Sequence, residues 1–424
     1  MDMPSKELWV GVDWADEEHQ VCIVDADGEL VESFAVPHRA DALKDMGRRL
    51  RASGRVAGVA IETPRHLIVY QLLAEGFVVY PINPETSHKW CKALSPAGAT
   101  TDPDQAYALA DGLSHHHARL RPLLPDEAQS RELALLCEAE VDLIRQRTAF
   151  VNELQHRLKD YFPAAMECFD DWTSPSAWDF VAALPTPQAL ADAPERKLYA
   201  FLKNHHIGAG PRWQDRIARR KEATTWPSDP AMLAVSPWRV QALVALLRTL
   251  ETQLKSFRRR IEALFAQHPD AQLFASLPGA GPKLAPRLAA HFGSQRGRYE
   301  SARSVQQLAG CVPVTTKSGK SKKVYCRRAC QKPFRNTLHQ FAFASLKDSQ
   351  WARASYDMAR DRGQSHARAL RTVGAKWVKV VYRMWVSRTP YNEAVYLASL
   401  IRHHSPIIQW MQSHENQEKP SRKT

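Results

Sequence analysis

An α/β domain followed by a largely helical remainder is the fold class predicted by this 424-residue sequence. Three observations predict it. Two apolar runs, Leu8–Ala15 and Val56–Thr63, read as short buried strands, and each ends on an acid. Apolar residues alternate three and four apart from Val240 to Leu264, the pattern of a coiled-coil helix. Residues 339–400 carry apolar stripes at helical spacing. The expected organisation is an α/β domain over 6–120, a helical and coiled-coil region over 125–270, a mostly helical C-terminal domain over 271–400 and a polar tail over 401–424, with disorder expected from 411.

In the first domain, Trp9–Trp14, Gln20–Asp25 and Leu30–Val36 read as strands, with Asp27-Gly28 as a hairpin turn. A helix follows over 39–53, with Leu43, Met46 and Leu50 on one face. The strand Val56–Thr63, a helix over His66–Glu75 and the strand Phe77–Ile82 complete a βββαβαβ order, which suggests a mixed sheet. Asp13 and Glu62 therefore stand near the ends of two strands that can be neighbours. A buried strand that ends on a carboxylate needs a reason, because an unpaired charge in apolar surroundings is costly. Asp13 reads either as a turn cap or as a metal ligand. Thr101-Asp102-Pro103-Asp104 opens a further helix, where an acid can cap the first turn or complement the helix dipole. Taken together, Asp13, Glu62, Asp102 and Asp104 suit a hard, oxygen-preferring cation such as Mg²⁺, and a pair of such ions can clamp a phosphodiester displacement. His115-His116-His117 reads as a solvated run rather than a ligand set.

Two long helices dominate the middle. Residues 127–161 repeat apolar positions every seven, at Leu136, Leu143 and Phe150 and at Ile144, Val151 and Leu158. The second helix is expected to begin at Ser236-Pro237, an N-cap followed by proline at the first helical position. The two can pair within one chain or across a dimer. Between them, Arg212, Arg216, Arg219, Arg220 and Lys221 form a basic patch, read as a nucleic-acid face or a solvated one.

In the C-terminal region, Leu277-Pro278-Gly279-Ala280-Gly281-Pro282 makes a glycine turn before a helix. This resembles a helix-hairpin-helix unit, in which the backbone at Gly279 and Gly281 would hold a phosphate. From Ser301 to Lys347 there is no acid, and Lys317, Lys320, Lys322, Lys323, Arg327, Arg328, Lys332 and Arg335 fall within 317–335. So one-sided a run is expected to bind phosphates with salt-dependent affinity. Ser318 lies inside it, readable as part of a phosphate-binding loop or as a nucleophile whose developing charge the cations steady. Cys326 and Cys330 have no convincing second pair for a zinc site.

Composition bounds the partners. Fifty-eight Lys+Arg against 45 Asp+Glu leave a net charge of +13, which favours a polyanion. Seven cysteines show no disulfide framework and point to a reducing cytosol. MDMPSKELW has neither the basic start nor the apolar core of a signal peptide, and no window approaches 18 uninterrupted apolar residues, so no membrane partner is expected.

In order and spacing over about 8–400, these motifs resemble the Piv/MooV-type DEDD insertion-sequence transposases, also called bridge-RNA-guided recombinases. GVDWA carries Asp13, AIETP carries Glu62, and TDPDQAYALAD stands where the family has TDxxDAxxLA(D/E). Gly310, Pro313, Ser318 and Gly319 match a G-x-x-P-x-x-x-x-S-G pattern. The resemblance implies a RuvC-like, RNase H-type N-terminal domain holding Mg²⁺ at Asp13, Glu62 and the Asp102 cluster. It implies DNA strand exchange through a phosphoserine at Ser318, and a dimeric or tetrameric homo-oligomer in which one subunit's serine joins another's acids. An element-encoded bridge RNA would pair with donor and target DNA, in the bacterial cytoplasm and at the nucleoid. One departure is clear: the family's fourth acid falls on Gln105, and Asp104 is expected to take its role. Rival readings are a catalytically inactive nucleic-acid-binding derivative and a metal-dependent junction nuclease.

Overall fold

The structure, a computed structural model, describes residues 7–95, 101–225, 229–319 and 321–415. They fall into two compact units, 1–125 and 126–424.

The first unit is built on a five-stranded mixed sheet. Its elements run β1 (Glu7–Asp13), β2 (Glu18–Val24), β3 (Leu30–Pro37), α1 (Ala40–Ser53), β4 (Arg55–Ile61), α2 (Leu67–Ala74), β5 (Val79–Pro81), α3 (Pro84–Leu94) and α4 (Asp102–His116). The strand order is β3-β2-β1-β4-β5, with β1 antiparallel to β2 and parallel to β4. Period-two alternation divides the core. Val10, Val12, Val59 and Ile61 pack with α1 and α2 on one face, while Trp9, Cys22 and Ala60 pack against Ala106, Leu109 and Leu113 of α4 on the other. Gly11 faces α4 at the closest approach, where a Cβ would collide with Ala106 O and Ala110 N. The expected βββαβαβ order is present. The helix α3 has no counterpart among the predicted elements.

The second unit begins with the helix pair α5 (Ala128–Tyr161) and α11 (Pro230–Ala266). They run antiparallel within one chain, because ion pairs link Glu132 to Arg260 (2.7 Å), Glu140 to Arg258 (2.9 Å), Arg147 to Glu251 (2.8 Å) and Glu153 to Arg239 (2.8 Å). The seam buries Leu133, Cys137, Val151, Leu154 and Leu158 of α5 and Val240, Leu243, Leu247, Leu254 and Ile261 of α11. Glu140, only 3% exposed, is held by both Arg258 and Arg287.

The expected start of α11 at Ser236-Pro237 is corrected. Asp229 caps the helix, accepting from the N–H of Ala231, and Pro230 opens it. Pro237 is carried inside, at the loss of one backbone hydrogen bond. By length and composition α11 could cross a membrane. Its apolar stripe is instead taken up by the cores just described, and Arg239, Arg248, Arg258 and Arg260 on the helix are ion-paired.

Between the long helices, α6 (Pro163–Met166), α7 (Pro175–Ala183), α8 (Pro187–Ala191), α9 (Glu195–Asn204) and α10 (Pro211–Ala218) enclose a core rich in aromatic rings, including Trp172, Trp178, Phe180 and Trp213. The basic patch at 212–221 is largely neutralised here. Arg212 pairs with Asp170, Arg219 with Asp215 and Arg220 with Glu195 (3.1 Å), and Arg216 donates to Cys168 O (2.7 Å).

The chain continues through α12 (Ala271–Ala275), α13 (Gly281–Phe292), α14 (Ala302–Leu308), β6 (Val314–Ser318), β7 (Ser321–Tyr325), α15 (Lys332–Asp348), α16 (Gln350–Asp361), α17 (His366–Ser387), α18 (Glu393–Arg402) and α19 (Pro406–Glu415). Phe292, Phe334, Phe341, Trp351, Trp377 and Trp385 centre this core. The polar tail expected from 401 is corrected over its first part. Apolar Ile407, Trp410 and Met411 give α19 a face that seats on the core, with Ile407 buried. Residues 416–424 lie outside the described ones.

Candidate functional sites: an acidic cleft and a cationic hairpin

In the first unit, β1 and β4 run parallel with Val12 opposite Ile61, so Asp13 and Glu62 leave adjacent strands at one level. Gly11 lets α4 lie directly on β1, which brings Asp102, the first residue of α4, to the same edge. The Asp13 carboxylate feels the other two. Burial, then Asp102, then Glu62 push the Asp13 carboxyl from its ordinary 3.8 up to about 6. Glu62 accepts a hydrogen bond from Ser87 Oγ, and Ser87 is itself buried on α3.

A cleft of about 270 Å³ opens beside Glu62, lined also by Pro84, Ser87, His88, Cys91 and Gln105. The α3 residues are the part that sequence reasoning missed. The available signal was Asn83-Pro84: Asn83 Oδ1 accepts from Glu85 N (2.8 Å) and proline opens the helix.

The expectation that Asp104 fills the fourth acid position is not met by this geometry. Its carboxylate is turned back on the N-cap, accepting from Thr101 N (2.9 Å) and Thr101 Oγ1 (2.7 Å), and these bonds hold its pKa below the usual carboxylate value. Thr101 and Asp104 form a reciprocal capping box. Helical spacing then turns Gln105, one residue on, into the cleft with Glu62.

The turn after Asp13 is pinned by histidines. Ala15 N–H donates to His19 Nδ1 (3.2 Å), and His19 Nε2 meets His38 Nδ1 (2.8 Å). The backbone donor requires Nδ1 of His19 to be an acceptor, so Nε2 carries the proton and the ring is neutral. Burial lowers its pKa to about 4, with His38 and His66 adding to the effect. The triple-histidine run is exposed, as expected, and its rings also pack locally: His117 stacks on Trp9, His116 on Trp90, and His115 lies 3.3 Å from Asp111.

Carboxylates and an amide are the donors a hard divalent cation takes, and mutual repulsion among Asp13, Asp102 and Glu62 is what such an ion would relieve. Among the described residues no group of three His, Cys, Asp or Glu stands in position to hold one ion jointly.

In the second unit, Ser318 ends β6 and faces Ser321 across the β6–β7 hairpin, with Gly319 (φ 55°) in the turn. Lys320 lies outside the described residues. Opposite residues share a face, so Ser318, Ser321, Thr316, Lys323, Val314 and Tyr325 lie on one side and Lys317, Lys322, Thr315 and Val324 on the other. Lys317 directly faces Lys322, a like-charge pair that destabilises an isolated hairpin and favours an anion beside it. The described hairpin residues beyond Val314 are exposed. Arg328 follows it among exposed residues, while Arg327 is half-buried.

The glycine turn has a different role from the one expected at Gly279. Its φ is 73°, and a Cβ would come within 2.6 Å of the Ala344 backbone, so this glycine is a packing contact with α15. Gly281 (φ 54°) faces open space at the start of α13 and stays available. A buried Ser130–His268 contact (2.8 Å) has the outline of a nucleophile and base. His268 Nδ1 accepts from Asp270 N–H, however, so Nε2 donates to the serine and cannot deprotonate it. Cys326 and Cys330 belong to no metal-holding group among the described residues.

Two family models match the chain: one described as "Transposase", of the IS110 DEDD type, over residues 10–163, and one described as "Transposase IS116/IS110/IS902 family" over residues 271–357. The mini-circle transposase assigned to IS117 in Streptomyces coelicolor is 28% identical over 409 residues, 94% of this chain and 98% of that protein. A 43.6 kDa protein of insertion element IS110 from the same species is 25% identical, over 70% of this chain and 74% of its own. A transposase designated y4uE in Sinorhizobium fredii is 31% identical over 48% of this chain and 58% of its own.

Proposed function

Because the chain belongs to the IS110/IS116/IS902 family of DEDD transposases, we propose that it moves its element by serine chemistry, Ser318 attacking a DNA phosphodiester while Asp13, Glu62 and Asp102 supply a Mg²⁺-dependent acidic centre. The observation that carries this reading is the approach of Asp102 and Glu62 to a half-buried Asp13, whose carboxyl burial first, and then these two acids, lift to about 6. The mixed sheet that delivers them supports an RNase H-type, RuvC-like description.

In the proposed step, the Ser318 Oγ–phosphorus bond forms and a bridging P–O bond breaks. The hydroxyl proton leaves Oγ, and the departing strand oxygen takes up a proton. Attack by a second strand's hydroxyl reverses the chemistry, joins the strands and returns the proton to Ser318. Lys323, on the same hairpin face as Ser318, steadies charge growing on the phosphate, with Lys317 and Lys322 behind it. Mg²⁺, when bound, supplies Lewis-acid stabilisation at the phosphate oxygens. One or two of Asp13, Asp102 and Glu62 would hold it, with water completing its shell, while Ser87 fixes the Glu62 carboxylate and Asp104 keeps α4 capped. Lys317, Lys320, Lys322, Lys323, Arg327 and Arg328 bind backbone phosphates, with Gly281 N–H as a further contact.

A homo-oligomer brings one subunit's serine to another's acids, and an element-encoded bridge RNA selects the DNA by base pairing in the cytoplasm at the nucleoid. Gln105 favours one second reading, a binding derivative with weakened cleavage, because an amide adds no negative charge to the metal site.

Protein with its co-purifying RNA, Mg²⁺ and DNA from the element's ends tests the proposal on a denaturing gel. A protein–DNA adduct that disappears in Ser318→Ala supports it. Cleavage that survives Ser318→Ala without an adduct identifies a metal-dependent nuclease, and specific binding without cleavage identifies the inactive derivative.

A further inference from the structure

A second cationic feature lies at the base of the Ser318 hairpin. A cleft of about 600 Å³ runs between residues 310–313 and 324–327 on one side and α17 on the other. Arg368, Arg371, Lys376 and Lys379 line it from α17 and Arg327 faces them, with no carboxylate among the lining residues. None of the five makes an ion pair among the described residues, unlike the neutralised patch at 212–221. Two details show charge without a counter-ion. Arg327 Nε is buried and finds no hydrogen-bond partner. Lys376 donates to Ser355 Oγ (2.7 Å), while burial, then Arg362, then Lys379 push its pKa down to about 8. Desolvated, crowded cations of this kind are stabilised by an anion brought among them.

The spacing says what sort of anion. Positions 368, 371, 376 and 379 follow one face of α17 over about 16 Å, several times the ~3.4 Å rise per nucleotide of a DNA strand. Tyr325, 51% exposed, lies in the cleft and on the same hairpin face as Ser318. The tip is about 13 Å farther along the hairpin. We propose that this cleft grips the phosphodiester backbone of one DNA strand a few nucleotides from the bond that Ser318 attacks, with Arg368, Arg371, Lys379 and Arg327 as phosphate contacts and Tyr325 as a stacking surface. The assignment of the strand rests on the Ser318 reading.

The test measures binding of labelled single-stranded DNA, duplex DNA and RNA of the same sequence to the full chain across a salt series. The variant combines Arg368→Gln, Arg371→Gln and Lys379→Gln. A control of equal charge loss combines Arg196→Gln, Lys197→Gln and Lys203→Gln on α9, all exposed and in no ion pair among the described residues. Melting curves establish that both fold. The cleft variant is expected to lose roughly tenfold or more in single-strand DNA affinity, and its log–log salt slope to fall by about 2, with the control near wild type. Equal losses in the two variants, or none in the cleft variant, overturn the proposal. A loss confined to RNA overturns the assignment to DNA. The readout does not involve Ser318: normal binding by the cleft variant beside a wild-type adduct sinks the cleft alone, whereas lost binding with no wild-type adduct sinks the serine reading alone.

Discussion

Replacing Asp13 by asparagine should make the protein more stable and inactive together. Burial, then Asp102, then Glu62 raise the Asp13 pKa from 3.8 to about 6, so folding disfavours its ionised form. Such a group binds its proton more tightly folded than unfolded. Its penalty is therefore absent below about 4, grows as pH rises towards 6, and is constant above that. A rise of this size has a ceiling of about 3 kcal/mol. Asp13 is only half-buried, and screening by water brings the expected figure down to about 1 kcal/mol. In a unit of this size that corresponds to a melting temperature higher by roughly 3 °C in Asp13→Asn at pH 8, and to no difference at pH 4. Differential scanning fluorimetry from pH 4 to 8 in EDTA reads the effect. Added Mg²⁺ should then raise the wild-type melting temperature and leave the variant's unchanged, since only a ligand of the folded state stabilises it. A variant no more stable than wild type at pH 8, with the same Mg²⁺ response, would refute the strain at the buried, acid-flanked Asp13 carboxylate and its place in the ion's seat.

The remaining predictions concern neighbouring residues. Gly11→Ala drives a methyl into Ala106 and Ala110 of α4 and should cost about 1–3 kcal/mol in denaturant unfolding, with loss of Mg²⁺-induced stabilisation as Asp102 is displaced. Gln105→Asp adds a carboxylate to the cleft and should tighten Mg²⁺ binding in titration calorimetry, whereas Asp104→Ala should leave it near wild type while removing one half of the capping box with Thr101. Glu140→Ala leaves Arg258 and Arg287 without their shared anion and should destabilise the second unit by about 3–5 kcal/mol in urea melts.

How far each element was legible depended on whether its determinants were local. The strands carrying Asp13 and Glu62 were readable because both are unbroken apolar runs, and the seam of α11 because its alternation is strict. The hairpin at 314–325 was not read as strands. Almost none of it is buried, so no alternating pattern marks it, although Gly319 and the β-branched Val314, Thr315 and Thr316 were present. Ser236-Pro237 looked like a helix start because proline is common there. A neighbouring Asp229-Pro230 supplied the true one, and tertiary packing tolerated the second proline. Assigning Asp104 rather than Gln105 to the cleft weighed charge against spacing, and the helix obeyed spacing. The partners of Arg212 and Arg220, at Asp170 and Glu195, are 42 and 25 residues away in the chain, beyond any local pattern. The cleft under the hairpin was hidden for the same reason, being assembled from 306–327 and 364–379.

Peptide mapping by mass spectrometry after reaction with Mg²⁺, co-purifying RNA and element-end DNA tests the central claim most directly. The account predicts a nucleotide adduct on the peptide containing Ser318, absent from Ser318→Ala and from Asp13→Asn. An adduct on a different residue, or DNA cleaved by Ser318→Ala at the wild-type rate, would contradict it.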